Sequence, residues 1–92
     1  MKNLHLLITG RVQGVGYRDW LVHEAQRRGL TGWVRNLATG AVEAVVAGED
    51  KAVDDCVRLS WQGPPLADVS DVRVTETALP SETGFIRRRS VP

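Results

Sequence analysis

The apolar spacing of the chain changes from two residues to about four across one short stretch, Gly10-Arg11-Val12-Gln13-Gly14-Val15-Gly16-Tyr17-Arg18. Before it, Leu4, Leu6 and Ile8 alternate with His5, Leu7 and Thr9, and Val12 keeps the same parity. Such alternation is the pattern of a strand with one buried face. After it, Tyr17, Leu21 and Ala25 recur every four residues with Trp20 beside them, which is one stripe of a helix. The chain must therefore pass from strand to helix inside a stretch that holds three glycines. A turn so rich in glycine has backbone N–H groups free to converge and no side chains blocking a ligand. It is either an anion cradle or a tight connection.

The spacing predicts a strand over about 3–10, with even positions facing the core, and a helix over about 16–28. Gly29 ends that helix, and Leu30 is placed to fold back over its last turn. Its start lacks a Ser, Thr, Asp or Asn cap, so the first N–H groups have no local acceptor. Such a helix start is met by water or by an anion. Thr31 to Asn36 reads as a second strand, Leu37 to Gly40 as a turn, and Ala41 to Ala47 as a third strand paired to it. A second helix follows from about Glu49 to Gln62, with Val53, Cys56, Val57 and Ser60 as its inner stripe; Gly63-Pro64-Pro65 stops it. A fourth strand spans Val69 to Thr77. Val69 falls out of parity with Val72 and Val74, which signals a bulge or a late start. Phe85 to Arg88 is a candidate short fifth strand on an edge. The order is β-α-β-β-α-β plus that optional strand. This is an α+β, ferredoxin-like α/β sandwich, with two helices on one face of a mostly antiparallel sheet. The other face would be solvated, with His5, Trp33 and Arg35 outward or half-exposed.

Ninety-two residues make one domain, spanning 1–92. Its 42% hydrophobic and 25% charged residues are ordinary for a globular protein. No stretch approaches the length of a membrane span or a signal-peptide core, so no membrane partner is expected. The single cysteine, Cys56, excludes an internal disulfide and paired-thiolate zinc sites. The expectation is a cytoplasmic, metal-free monomer without a cofactor. The net charge of +1 is unevenly spread. Residues 1–40 carry six basic and two acidic side chains, whereas residues 41–84 carry three basic and nine acidic. Positive potential thus gathers where the glycine-rich turn lies. That favours a small anion over a long polyanion, which would call for a basic excess over the whole domain.

Within the turn there is no Walker A or GxGxxG pattern. What remains is a nest of N–H groups at a helix start, with Arg18 in the first turn. A guanidinium fork and backbone donors are what a phosphate binds well. Asn36, at the end of strand two, is a second candidate, because its amide can both donate to and accept from a water. Each has a plainer reading, as an exposed arginine and a turn asparagine. His5 and His23 are expected to lack a serine, cysteine or carboxylate partner. Cys56 is expected in the core, Trp20, Trp33 and Trp61 as packing residues, and Arg87-Arg88-Arg89 as a solvated strand end. A site without metal, acid or base suits one kind of substrate. An acyl phosphate releases a carboxylate, whose conjugate acid has a pKa of roughly 4, so no acid is needed to help it leave. The rest of phosphoryl transfer depends on positioning and electrostatics.

At these residues the sequence resembles the acylphosphatases. The resemblance lies in Gly10 to Arg18, in Gly32-Trp33-Val34-Arg35-Asn36, in Gly40-Ala41-Val42-Glu43 with Gly48, and in Gly63-Pro64-Pro65 with Ala67 and Val69. It covers nearly the whole chain and implies the same ferredoxin-like fold. It also implies metal-independent hydrolysis of small acyl phosphates, with water attacking phosphorus in line. By that resemblance Arg18 binds the phosphoryl group, with backbone N–H groups of Gln13, Gly14, Val15, Gly16, Tyr17 and Arg18. Asn36 orients the water, and Thr39 supports the site indirectly. Two departures stand out: Gly16, where other members carry bulkier residues, and the loosely matching Phe85 to Arg89 segment. The alternative functions are a non-catalytic module that binds phosphate or carbamoyl phosphate, and RNA binding. The last is disfavoured because the open sheet face lacks paired stacking aromatics.

Overall fold

The computed structural model describes residues 1–91. Seven elements follow in order: β1 (Lys2–Arg11), α1 (Tyr17–Arg27), β2 (Thr31–Asn36), β3 (Val42–Gly48), α2 (Asp50–Gln62), β4 (Asp68–Glu76) and β5 (Phe85–Arg87). The five strands form one sheet in the order β4-β1-β3-β2-β5. β1 is antiparallel to β3 and β4, and β2 to β3; only β5 runs parallel to its neighbour, β2. This is the expected α+β ferredoxin-like arrangement, with the fifth strand present on the edge.

The alternation in β1 does what its spacing predicts. Leu6 and Ile8 are fully buried and sit opposite Ala44 and Val42 of β3. They share a core with Tyr17, Leu21 and Ala25 of α1, Val34 of β2, Val53 and Cys56 of α2, and Val72 of β4. Both helices thus cover the same sheet face. Val57 is only partly buried at the margin of that core. Trp61 is 48% exposed, contrary to the packing role expected of it. It stands about 100° around α2 from Ser60, the last buried residue of the stripe, and so points away from the sheet.

Thr9 pairs with Asp71 but Gly10 with Val69, so Ser70 is unpaired and β4 carries the bulge that Val69's parity signalled. At the end of α1, Gly29 has φ 67°, and the Leu30 and Gly29 amides donate to Ala25 O and Gln26 O. This Schellman closure folds the buried Leu30 back over the last turn. Beyond β5 the chain keeps hold of β2: Arg88 N–H donates to Val34 O and Val91 N–H to Asn36 O, both at 2.8 Å.

Register also decides where the loops meet. Ile8 and Asn36 both pair with Val42, so β1 and β2 end at the same end of the sheet. The glycine-rich turn after β1 and the hairpin after β2 therefore emerge side by side.

The opposite sheet face is half-exposed, as expected, but His5 does have a carboxylate partner. Its Nε2 lies 2.8 Å from Glu43 Oε2, and Arg35 Nε donates to Glu43 Oε1 at 2.7 Å. The pair is not visible in either strand alone, because His5 faces Val45 directly; Glu43 is its diagonal neighbour, opposite Leu7. Arg35 also lies 4.8 Å over the Trp33 ring, with Arg88 4.5 Å from the same ring.

Candidate active site

The local sequence explains the shape of the turn. Gly16 caps α1 with φ 81° and ψ 19°, a left-handed conformation that L side chains rarely adopt. An added Cβ there would meet nothing within 4 Å, so glycine serves the backbone angle rather than clearance. No side chain caps the helix, and the first helical bond runs from Trp20 N–H to Gly16 O. The N–H groups of Tyr17, Arg18 and Asp19 precede it and have no acceptor within the helix. They add to the positive end of the helix dipole. Tyr17 anchors this start. Its ring is buried, and its hydroxyl donates to Ser60 O of α2 at 2.7 Å. Burial raises the Tyr17 pKa well above its ordinary value, and the bond to Ser60 opposes that only in part, so the phenol stays neutral.

A cavity of about 190 Å³ opens at this helix start. Val12, Gln13, Gly14, Gly16, Tyr17 and Arg18 line one side, and Asn36 lines it from β2. Arg18 and Asn36, eighteen positions apart in sequence, thus share one cavity. The tie between their elements is the Gln13 side chain. Its Nε2 donates to Leu37 O and to Ala41 O, both at 2.8 Å, fastening the glycine-rich turn to the hairpin that follows Asn36. Arg18 Nη1 donates to Arg88 O at 3.3 Å, so the segment after β5 steers the guanidinium. Burial, then the charge of Arg87, pull the Arg18 pKa down, and Asp19 acts against them. The guanidinium nonetheless remains a cation in water. Its charge is thus partly desolvated, a cost that an incoming anion would offset.

Two expected residues stand apart from the cavity wall. Val15 packs partly buried against the core, leaving only its backbone for a ligand. Thr39 is exposed in the hairpin turn, where its Oγ1 accepts from Ala41 N–H at 3.4 Å. Two unexpected residues do line the cavity, Asp19 and Arg87. They neutralise each other, with Arg87 Nη1 2.7 Å from Asp19 Oδ1. Nothing local in the sequence links residue 19 to residue 87; the basic run at 87–89 was the one available signal. Among the described residues, no group of three or more His, Cys, Asp or Glu side chains could hold a metal ion. Cys56 is buried and unpaired in a disulfide, and burial pushes its thiol up to about 11. No helix is long and apolar enough to cross a membrane.

A ferredoxin-like sandwich whose first strand-to-helix turn presents uncapped N–H groups and an arginine, opposite an asparagine on the second strand, defines an α+β domain with a candidate site at that turn. Comparison with known proteins narrows the class. The acylphosphatase family model matches residues 4–86, and the chain belongs to the acylphosphatase family. It is 54% identical over 84 residues to an acylphosphatase of Acidiphilium cryptum, covering 91% of this chain and 92% of that one. It is 47% identical over 91 residues to an acylphosphatase of Rhodospirillum rubrum, covering 99% of this chain and 100% of the relative. Among solved structures, acylphosphatase from Bacillus subtilis superposes with a TM-score of 0.91 at 36% identity, covering 96% of this chain and 99% of that one.

Proposed function

We propose that this protein hydrolyses small acyl phosphates to a carboxylate and inorganic phosphate, with Arg18 and Asn36 as its catalytic residues. The observation that carries the assignment of residues is their convergence on one cavity at an uncapped helix start. A water takes up about 30 Å³ of liquid volume, so a phosphoryl group and a nucleophilic water both fit.

In this reading the N–H groups from Gln13 to Arg18 and the Arg18 guanidinium hold the phosphoryl oxygens. The Asn36 amide oxygen accepts a hydrogen bond from the water and aims its lone pair at phosphorus. The new P–O bond forms opposite the acyl oxygen as the old one breaks, and the bond electrons leave on the carboxylate. The water's proton passes to a phosphoryl oxygen, so no side-chain base is required. Charge spreads over the equatorial oxygens in such a transition state, where fixed donors stabilise it most. Gln13 holds the two halves together, and Thr39 supports the hairpin that carries Asn36. The same reading makes the chain a single-domain monomer of the cytoplasm; its one cysteine, buried and free, fits the reducing conditions of that compartment.

The test is release of phosphate from benzoyl phosphate by the purified chain, with and without chelator. Wild-type protein is expected to turn over equally in both. Arg18→Ala is expected to lose about 10³-fold or more of kcat/KM, the range seen when an arginine that stabilises phosphoryl transfer is removed. Asn36→Ala is expected to lose about 10²-fold, as for one oriented polar group. Substantial activity in Arg18→Ala would remove the assignment. Phosphate binding without turnover in the wild type would select the alternative, a non-catalytic binding module.

A further inference from the structure

We propose that Arg89, with Ser90, forms a second anion subsite beside the phosphoryl cavity, so that the protein favours acyl phosphates whose acyl group carries its own negative charge. The proposal rests on the phosphoryl-site reading above and adds which acyl groups are preferred. A second cavity of about 380 Å³ is lined by Arg18, Arg87, Arg88, Arg89 and Ser90, and Arg18 and Arg87 wall both cavities. The two cavities therefore adjoin across Arg18 and Arg87, and the proposal has the acyl end of a substrate held in the first extend into the second.

Charge pairing singles out Arg89. Arg87 is neutralised by Asp19. Arg88 pairs with Glu82, and its guanidinium is committed to the Trp33 ring at 4.5 Å. Among the described residues, Arg18 and Arg89 are the two guanidinium groups of this wall that have no carboxylate partner. The phosphoryl group takes one. The other remains for a second anion, and the Ser90 hydroxyl adds a donor beside it. A neutral acyl chain leaves that charge unmet, whereas a carboxylate-bearing chain pairs with it.

The experiment compares kcat/KM for benzoyl phosphate and 3-carboxybenzoyl phosphate, which share a rigid ring and a reacting centre. An exposed ion pair predicts a preference for the carboxylate of about two- to fivefold at low salt, shrinking as salt screens it. Arg89→Ala should bring the ratio to about one, Arg89→Lys should keep part of it, and Arg89→Glu should invert it. A wild-type ratio of one, or a ratio that Arg89→Ala leaves unchanged, overturns the subsite. Calorimetry with phenylphosphonate and 3-carboxyphenylphosphonate repeats the comparison without turnover. A preference there that vanishes in Arg89→Ala supports the subsite even if hydrolysis fails, and equal affinities overturn it.

Discussion

Replacing Gln13 by alanine tests the joint on which the site depends. The Gln13 amide spends both hydrogens on Leu37 O and Ala41 O, each at 2.8 Å, across 24 and 28 positions of sequence. A net hydrogen bond contributes about 0.5–1.5 kcal/mol, so the pair contributes about 1–3 kcal/mol. Gln13 is half-buried, and both carbonyls keep a backbone partner, Gly40 N–H on Leu37 O and Leu37 N–H on Ala41 O, which puts the loss in the lower half, about 1–2 kcal/mol. In a domain this size each kcal/mol lowers Tm by about 4–8 °C. Activity should suffer more than stability. Asn36 directly precedes Leu37, so the change frees the hairpin to drift from the turn that carries the N–H groups. A shift of about 1 Å in a positioned group costs up to about 10²-fold, and kcat/KM is expected to fall by about 10- to 100-fold. The backbone N–H of residue 13 survives the substitution, so the loss measures alignment and not a missing donor. Gln13→Glu, of the same shape, should be worse, because a carboxylate oxygen then faces two carbonyls. The assays are thermal unfolding by circular dichroism and benzoyl phosphate turnover. A Gln13→Ala protein within 1 °C and twofold of the wild type would refute the reasoning.

Two further outcomes follow from one half-buried and one buried ionisable group. Burial acts to raise the Glu43 pKa, but the hydrogen bonds from His5 and then Arg35, with their charges, outweigh it and hold the carboxyl below its ordinary value. A depressed folded-state pKa contributes stability above the unfolded pKa of roughly 4.3, and that stability is lost as pH falls through the folded value. Glu43→Gln should therefore cost about 1 kcal/mol at pH 7. Its Tm should also fall less than that of the wild type between pH 6 and pH 3; parallel Tm profiles would contradict this. The Cys56 thiol, pushed up to about 11 by burial, should resist a disulfide reagent at pH 8 in the native protein and react with one equivalent after unfolding. Rapid labelling of folded protein would show that α2 opens far more readily than its packing implies.

Much of the fold was legible because its signals are local. Period-two alternation placed β1, a four-residue spacing placed α1, and the parity slip at Val69 marked the bulge opposite Gly10. The uncapped helix start at Gly16 was also readable, since a missing cap is a property of adjacent residues. Arg18 and Asn36 could each be nominated, but by themselves both had an ordinary structural explanation. Their meeting in one cavity depends on register: Ile8 and Asn36 share Val42 as a partner, and nothing in either segment alone specifies that.

The sequence by itself therefore determined the order of elements, the core stripe of each, and a turn with free N–H groups beside an arginine. Tertiary structure decided what surrounds that turn. It brought the Gln13 side chain onto the hairpin, set Asp19 against Arg87, and laid the parallel β5 along β2 so that Arg88 O meets Arg18. It also paired His5 with Glu43 on the open face. The physical reason is range. Periodicity and capping act within a turn or a strand, whereas these contacts join residues 24 to 70 positions apart. The glycine-rich turn supplies donors from its own sequence; the rest of the fold supplies their partners and their aim.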